Sequence, residues 1–574
     1  MSINLSVKRY SNGTPLSDMI PQQKNDDNTN NDDDDGNNKI TDSSSAYISV
    51  MSFNVLAPLY VRPFDKRTGG IQPFAAFEWI SKEDTADILD IHNDSANNGQ
   101  SGRGQRLFQC LSACNADVIC LQELQLERID SKGTFILPSW IQPLLRADDD
   151  NENGNTNGKY HCHLPPQAEL EVIAARNVRV LDADVAVTCA ILYKSQRLEQ
   201  MVSKQSSTIH AAGADTHTNT NTCVTLHLSI IGNEEGSKPS SPIEPFVVSS
   251  VHLDAMDEKK RVGQLTRCLK KAKTLTSIEN ANGKIIPQNS NIIIAGDMNQ
   301  EFFAGSCVTA FLHHDNATTN EMEEQCTNSL RLSKGSRPSN TQLEEWTKVH
   351  QEAKRTVFDH CTSLDRVGTE CTRAAYDHDE PEENEAQMMG SWRLDHLLYT
   401  PHSFEPCAIW ATLEDDQESC AVGLPNYRHG SDHIPIAAVF KCKTMQSLSD
   451  KQQQDLIHSL ETLAMEQEAS LTLTEGKFGI ELAEIEKRFT DIQASEPNSE
   501  PGPAKKRKVK KGKPPMEIIE CMRKKRLIVR DLKMEQRKQR QEIVKTLTNS
   551  ERLVIEQYFG YSATQWVDRG GCIS

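Results

Sequence analysis

Six short stretches of this 574-residue sequence carry carboxylate, amide and imidazole side chains in close succession: Ser52-Phe53-Asn54, Leu121-Gln122-Glu123, Val251-His252-Leu253, Gly296-Asp297-Met298-Asn299, Leu394-Asp395-His396 and Ser431-Asp432-His433. Phosphate ester hydrolysis needs such an inventory. A hard cation such as Mg²⁺ takes carboxylate and amide oxygens and keeps several waters, which suits Glu123 with Asn54 nearby. The ion neutralises charge on the scissile phosphate and stabilises the leaving oxygen. Asp297 is suited to orient and deprotonate an attacking water, Asn299 to donate to a nonbridging oxygen, and His433 to contact the developing phosphorane. An acidic neighbour such as Asp395 would hold His433 in one tautomer and raise its pKa.

Each residue alone also has an ordinary reading. Gly-Asp-x-Asn is a common loop, Glu123 could be a solvated cap, and His252 or His433 a satisfied core histidine. Their placement argues otherwise, because the polar residues fall where apolar runs end. The runs Ile48–Met51, Val118–Leu121, Ala190–Tyr193, Phe246–Val248, Ile292–Ile294 and Ile434–Val439 read as strands bounded by turn residues. Helical periodicity lies between some of them, notably Arg106–Cys114 and Arg261–Lys273. The body is therefore α/β. If the strands run through one domain with their polar ends together, those ends form one acidic, histidine-containing pocket. Polar stretches at 92–104, 147–158, 208–222 and 312–345 read as surface insertions.

The series Ser-Phe-Asn-Val-Leu-Ala, Leu-Gln-Glu-Leu, Val-His-Leu, Ala-Gly-Asp-Met-Asn, Arg-Leu-Asp-His-Leu-Leu-Tyr and Gly-Ser-Asp-His-Ile-Pro-Ile resembles the endonuclease/exonuclease/phosphatase superfamily. Within it, Ser52–Leu56 and Gly423–Asn426 ahead of Ser431-Asp432-His433 are similar to the family of carbon-catabolite-repressor deadenylases, nocturnin and angel. The resemblance spans residues 47–442. It implies a four-layer α/β sandwich, two packed β-sheets flanked by helices. It also implies metal binding by Asn54 and Glu123, handling of water and phosphate by Asp297 and Asn299, and phosphate contact or proton transfer by His252 and the His433/Asp395 pair. Asp432 completes the set. The chain departs from the deadenylase pattern after His252, where Leu253-Asp254-Ala255 is closer to nocturnin, and at Val187-Thr188-Cys189-Ala190.

The organisation around this body follows from composition. Residues 1–46 are rich in Asn, Asp and Ser and read as a disordered acidic leader. The catalytic domain is 47–442, a polar helical extension and linker 443–502, a basic segment resembling a nuclear-import signal 503–513, and a basic helical tail 514–574. Net charge is -18, but 17 Lys/Arg stand against 5 Asp/Glu between Lys505 and Lys545. The acidic body would repel polyanions and this stretch would attract them. Mean hydropathy is -0.57, and no apolar run approaches a membrane span. The N-terminus lacks a secretory signal, which points to the nucleus, the cytoplasm or both. The sixteen cysteines show no paired zinc-ligand spacing, including Cys110/Cys114 and His161-Cys162-His163, and are expected mostly as buried small side chains.

Three functions fit these observations. The leading one is a Mg²⁺-dependent RNA phosphodiesterase, a 3′-exoribonuclease of the deadenylase type, with Mn²⁺ as the alternative ion. The second is a nucleotide phosphomonoesterase such as an NADP(H) 2′-phosphatase. The third, a catalytically silent scaffold binding RNA or protein through the basic tail, fits the intact acid and amide set poorly. Expected partners are an RNA or nucleotide substrate and an import receptor at Lys505–Lys511.

Overall fold

The computed structural model describes residues 8–10, 47–61, 64–65, 70–71, 102–129, 133–145, 160–201, 223–231, 244–279, 285–286, 290–313, 315–332, 335–361, 363–367, 373–376, 389–410, 424–425, 429–443, 450–495, 516–547, 551–552, 554–555 and 566–567. The chain divides into two compact units, Met1–Met445 and Gln446–Ser574.

In the first unit the apolar runs form two mixed sheets. The eight-stranded sheet is built around β1 (Tyr47–Asn54), β2 (Val118–Ile129), β3 (Tyr160–His163), β4 (Ala186–Lys194), β11 (Phe404–Trp410) and β12 (Ile436–Cys442), in the order β11-β12-β1-β2-β4-β3. Only β1 and β2 run parallel within that order. The six-stranded sheet contains β5 (Leu198–Gln200), β6 (Cys223–Ile230), β7 (Phe246–His252), β8 (Ile292–Asp297), β9 (Asp365–Val367) and β10 (Asp395–Tyr399), in the order β9-β10-β8-β7-β6-β5.

Strand alternation sorts side chains into three apolar layers. Val50, Ile191, Val248, Ile293 and Phe440 meet between the sheets. Met51, Ile119 and Leu192 point the other way, onto α1 (Arg103–Cys114) and α2 (Gln167–Leu181). Val247, Ile292 and Leu398 pack against α3 (Glu258–Thr276) and α5 (Asn340–His360). Helix, sheet, sheet and helix make the expected four-layer sandwich. Strands buried on both faces lose polar alternation, which is why they read as continuous apolar runs.

The stretch 312–345, read as a surface insertion, holds α4 (Thr319–Ser329) and the start of α5. Both helices open on capping boxes, Thr318 with Glu321 and Ser339 with Gln342. Just beyond, Trp346, His350 and Ala353 are buried on α5. Helix α1 starts three residues before Arg106, behind Gly102, which supplies no side-chain cap and so no start signal. The leader lies outside the described residues apart from Lys8–Tyr10, which pairs in parallel with β11. The stretches 147–158 and 208–222 and the basic segment 503–513 also lie outside them.

The second unit contains two packed helices, α6 (Asp450–Ser495) and α7 (Met516–Thr546). Phe478, Ile485 and Cys521 form its small core with Leu482 and Ile518. Gln467 donates to Gln539 Oε1 at 2.9 Å and accepts from the buried Arg540 guanidinium. Ile518 of the basic helix is thus spent on packing, while Ile519, Leu527 and Ile528 stay exposed. Among the described residues no helix is long and apolar enough to cross a membrane.

Candidate active site

The register of the six-stranded sheet aligns three of the site residues before any side chain is considered. His252 at the end of β7 pairs with Asp297 at the end of β8, and Asp297 pairs in turn with Asp395 at the start of antiparallel β10. Gly296 makes this possible: a Cβ there would lie 1.9 Å from the Val251 carbonyl oxygen. Only hydrogen fits where the two strands approach this closely.

The other sheet delivers Asn54 and Glu123. Glu123 was expected at a strand end but sits inside a twelve-residue strand, at a β-bulge where the pairing with β4 shifts between Leu121 and Leu124. Its φ of 55 is unusual for a non-glycine residue. A bulge re-aims one side chain without ending the strand, and here it turns Glu123 toward the neighbouring sheet. Asn54 Nδ2 then bridges the sheets, lying 3.0 Å from both Glu123 Oε1 and Asp297 Oδ2. Its Oδ1 takes the Leu56 amide at 3.0 Å. In this geometry the Asn54 N–H group, not its oxygen, faces the carboxylates.

Asp297 lies at the centre, 1% exposed. His252 Nε2 is 3.6 Å from Asp297 Oδ2 and 3.6 Å from Glu123 Oε1. His433 Nε2 is 3.6 Å from Asp297 Oδ2, while its Nδ1 lies 2.7 Å from Asp395 Oδ2. Two groups of donor atoms, Glu123/His252/Asp297 and Asp297/Asp395/His433, therefore share Asp297, with all atoms in each group within 4.8 Å of one another.

Asn299 is adjacent, with φ 47; its amide donates to Asp297 Oδ1 at 2.8 Å and its side chain to the Leu253 carbonyl at 2.9 Å. Asp432 is buried next to His433 in the chain, and its carboxylate is near enough to push both Glu123 and His433 up. The structure thus brings all eight expected residues to one end of the sandwich.

The electrostatics follow from this crowding. Burial pushes the Glu123 carboxyl up and Asp432 adds to the effect, while His252 and the Asn54 amide pull it back only in part. Burial also opposes ionisation of Asp297, but His433, His252 and the Asn299 and Asn54 hydrogen bonds outweigh it and hold that carboxyl below the usual range. Burial would depress His433, yet Asp395, Asp297 and Asp432 push it up to about 10. A site that concentrates carboxylate oxygens and drives one of them toward protonation fits a hard divalent cation, whose charge favours the ionised form.

Two supporting residues escaped sequence reasoning. Arg103 is fully buried; its Nε donates to the Gly430 carbonyl at 2.5 Å and its Nη2 to the Val55 carbonyl at 2.6 Å, with a further contact to the Leu56 carbonyl. It ties the segment after Asn54 to the segment before Asp432. Ser431 Oγ completes the tie by donating to the Asn54 carbonyl at 2.6 Å. A lone arginine in a polar stretch gave no signal of this, whereas Ser431 stood within a quoted motif.

The model of the Endonuclease/Exonuclease/phosphatase family matches residues 51–433. The CCR4-Not complex 3′-5′-exoribonuclease subunit Ccr4 of Schizosaccharomyces pombe is 22% identical over 427 residues, covering 70% of this chain and 50% of that protein. The chain thus spans about half the length of this curated relative. Among solved structures, ANGEL2, a 2′,3′-cyclic phosphatase, in complex with adenosine-2′,3′-vanadate aligns at 18% identity and a TM-score of 0.39, covering 69% of this chain and 95% of that one. The human nocturnin catalytic domain with bound sulfate aligns at 14% identity and a TM-score of 0.29, again covering 69% and 95%.

Proposed function

The chain belongs to the endonuclease/exonuclease/phosphatase family, and from that premise we propose that it is a Mg²⁺-dependent phosphodiesterase that shortens single-stranded RNA from its 3′ end. The observation that carries the reading is the convergence of Glu123, Asn54, His252, Asp297 and the Asp395–His433 pair from both sheets on one buried carboxylate cluster. The exoribonuclease activity named for the fission-yeast relative supports the choice of RNA.

Glu123 would hold the cation, which when bound offsets charge on the scissile phosphate and on the leaving oxygen. Asn54, expected as a second ligand, turns its N–H group to the carboxylates and its oxygen to the Leu56 amide and so orients the site instead. Asp297, held ionised, accepts a proton from the attacking water and fixes its direction. The Asn54 amide keeps the Glu123 and Asp297 carboxylates apart and oriented, so neither must reorganise during the reaction. His433, charged at neutral pH, donates from Nε2 to a phosphoryl oxygen as charge builds there. Asp395 accepts from Nδ1 and so fixes the ring. Asn299 and His252 flank the phosphate, and Asp432 completes the negative wall that makes a cation favourable.

The turn Leu253-Asp254-Ala255 favours a second reading, removal of a phosphate from a nucleotide such as NADP(H). One assay separates the two. The full chain is incubated with Mg²⁺ or EDTA on adenylated RNA, non-adenylated RNA, DNA and NADP(H). A 3′ ladder on RNA supports the first reading, and phosphate release from NADP(H) with RNA intact supports the second. No turnover of any substrate would remove both. For localisation, the compact basic run Lys505–Lys511 supports nuclear import through a receptor; unchanged nuclear accumulation of a fluorescent fusion lacking 503–513 would overturn this.

A further inference from the structure

A cavity of about 280 Å³ opens beside the catalytic cluster, between Glu123 and His252 on one side and α2 on the other. At that volume it lies at the small end of ligand sites, which run from roughly 300 Å³ upward, so it suits a single phosphate-bearing unit and not a run of bases. Among the described residues that line it, Arg176 on α2 is the sole Lys or Arg, and Tyr60, Thr188 and Gln264 add polar atoms. Two carboxylates also line it, Glu123 and Asp254. Asp254 is satisfied locally: its Oδ1 takes the Met256 and Asp257 amides at 2.9 and 2.8 Å, and its Oδ2 lies 3.5 Å from Lys260 Nζ. With Asp254 engaged by these amides and Lys260, and Glu123 part of the catalytic cluster, Arg176 is the cationic side chain on the far wall.

That wall is held in place. Asn177, buried next to Arg176, donates to the Val185 carbonyl at 2.9 Å and pins the last turn of α2 to the approach of β4. The Tyr60 segment is tethered to the site itself, since the Ala57 amide donates to Glu123 Oε2 at 3.1 Å and the Tyr60 amide to the Ala57 carbonyl at 2.9 Å. Tyr60 packs beside Ala57, Leu59, Ala183 and Val187. Burial and the charge of Glu123 push its hydroxyl up to about 12, with Arg176 close enough to oppose the shift, so it is a neutral phenol that can donate. Val180 and Leu181, 47% and 40% exposed, also line the cavity and offer apolar contact next to the charged groups.

We propose that this cavity is a second phosphate subsite, in which Arg176 and Tyr60 hold the phosphate of the nucleotide next to the bond being cleaved while Val180 and Leu181 contact its sugar or base. The proposal rests on the hydrolytic reading of the neighbouring cluster. An arginine fork matches a phosphate's oxygens and is the side chain suited to such a task.

The test uses the full chain with Mg²⁺ and two exposed-site variants, Arg176→Ala and Arg176→Lys. Calorimetric titration with the non-hydrolysable phosphonate analogue of adenosine 5′-monophosphate is expected to show about tenfold weaker binding for Arg176→Ala, partial rescue by Arg176→Lys, and unchanged binding of adenosine. In turnover, KM for a short oligoadenylate rises by a similar factor with kcat held, while bis(p-nitrophenyl) phosphate, which has no flanking phosphate, is cleaved as by wild type. Equal binding of the phosphonate by wild type and Arg176→Ala, or equal weakening for adenosine, would overturn the subsite. If no substrate is turned over but phosphonate binding still depends on Arg176, the hydrolytic reading falls and the subsite stands.

Discussion

His433 Nδ1 lies 2.7 Å from Asp395 Oδ2, and both side chains are buried at the point where the two sheets meet. An imidazole held in this way has one nitrogen committed and the other, Nε2, directed at the Asp297 side of the cluster. Replacing Asp395 by Asn keeps the shape but exchanges an acceptor for an amide that can stabilise the wrong tautomer. For Asp395→Asn, kcat should fall by about 10³ to 10⁴ with KM little changed. Steady-state kinetics read this directly, and a kcat within threefold of wild type would remove His433 from the reaction.

Arg103 joins the chain after Asn54 to the chain before Asp432 through backbone carbonyls of Val55, Leu56 and Gly430. Arg103→Met keeps much of the volume but leaves three acceptors without their donor. The expected loss is about 3 kcal/mol of unfolding free energy, measured from urea midpoints, together with lower activity because both halves of the site loosen. Unchanged stability would mean that the guanidinium is not the tie it looks to be.

Gly296→Ala tests the close approach that sets Asp297 beside His252. The added Cβ would have to displace the Val251 carbonyl. Because that neighbour is backbone in a paired strand, a loss of about 3 kcal/mol or more is expected, seen as a lower thermal midpoint. A midpoint equal to wild type would show that the strands can part at no cost.

Asp315 Oδ2 lies 2.9 Å from His350 Nε2 and 3.1 Å from Lys354 Nζ. Burial works against its charge, but pairing with these two partners holds its carboxyl below the usual range. A depressed folded-state pKa stabilises above the unfolded value, about 3.9, and that stabilisation is lost as pH falls through the folded value. Asp315→Asn should therefore be clearly less stable than wild type at pH 7, with the gap closing below about pH 4. Urea unfolding at pH 7 and pH 3 would show it, and a gap independent of pH would contradict it.

The sandwich and the site were legible to different depths. Strand centres such as Ile292–Ile294 and Val118–Leu121 stood out because burial on both faces leaves no polar residue to interrupt them. The motif residues stood out because carboxylates and imidazoles follow those runs at once. What could not be read was geometry that depends on partner strands. Nothing in Leu-Gln-Glu-Leu announces that Glu123 lies at a bulge in mid-strand, since the bulge exists only in register with β4. The role of Arg103 depends on two loops more than 300 residues apart along the chain. Helix α2, which carries Arg176, begins behind Pro166 with no side-chain cap, and its start gives no capping signal. The capping boxes of α4 and α5 were present in the sequence, but the polar composition around them masked the pattern.

The central claim is that this cluster hydrolyses phosphodiesters with a divalent cation through Asp297. Its most direct test is the rate of cleavage of a 5′-labelled single-stranded RNA by the full chain as Mg²⁺ is titrated, for wild type and Asp297→Ala side by side. The wild type should show a saturable Mg²⁺ dependence abolished by EDTA, and Asp297→Ala should be slower by about 10³ or more at every concentration. Equal rates for the two proteins, or cleavage that persists in EDTA, would contradict it.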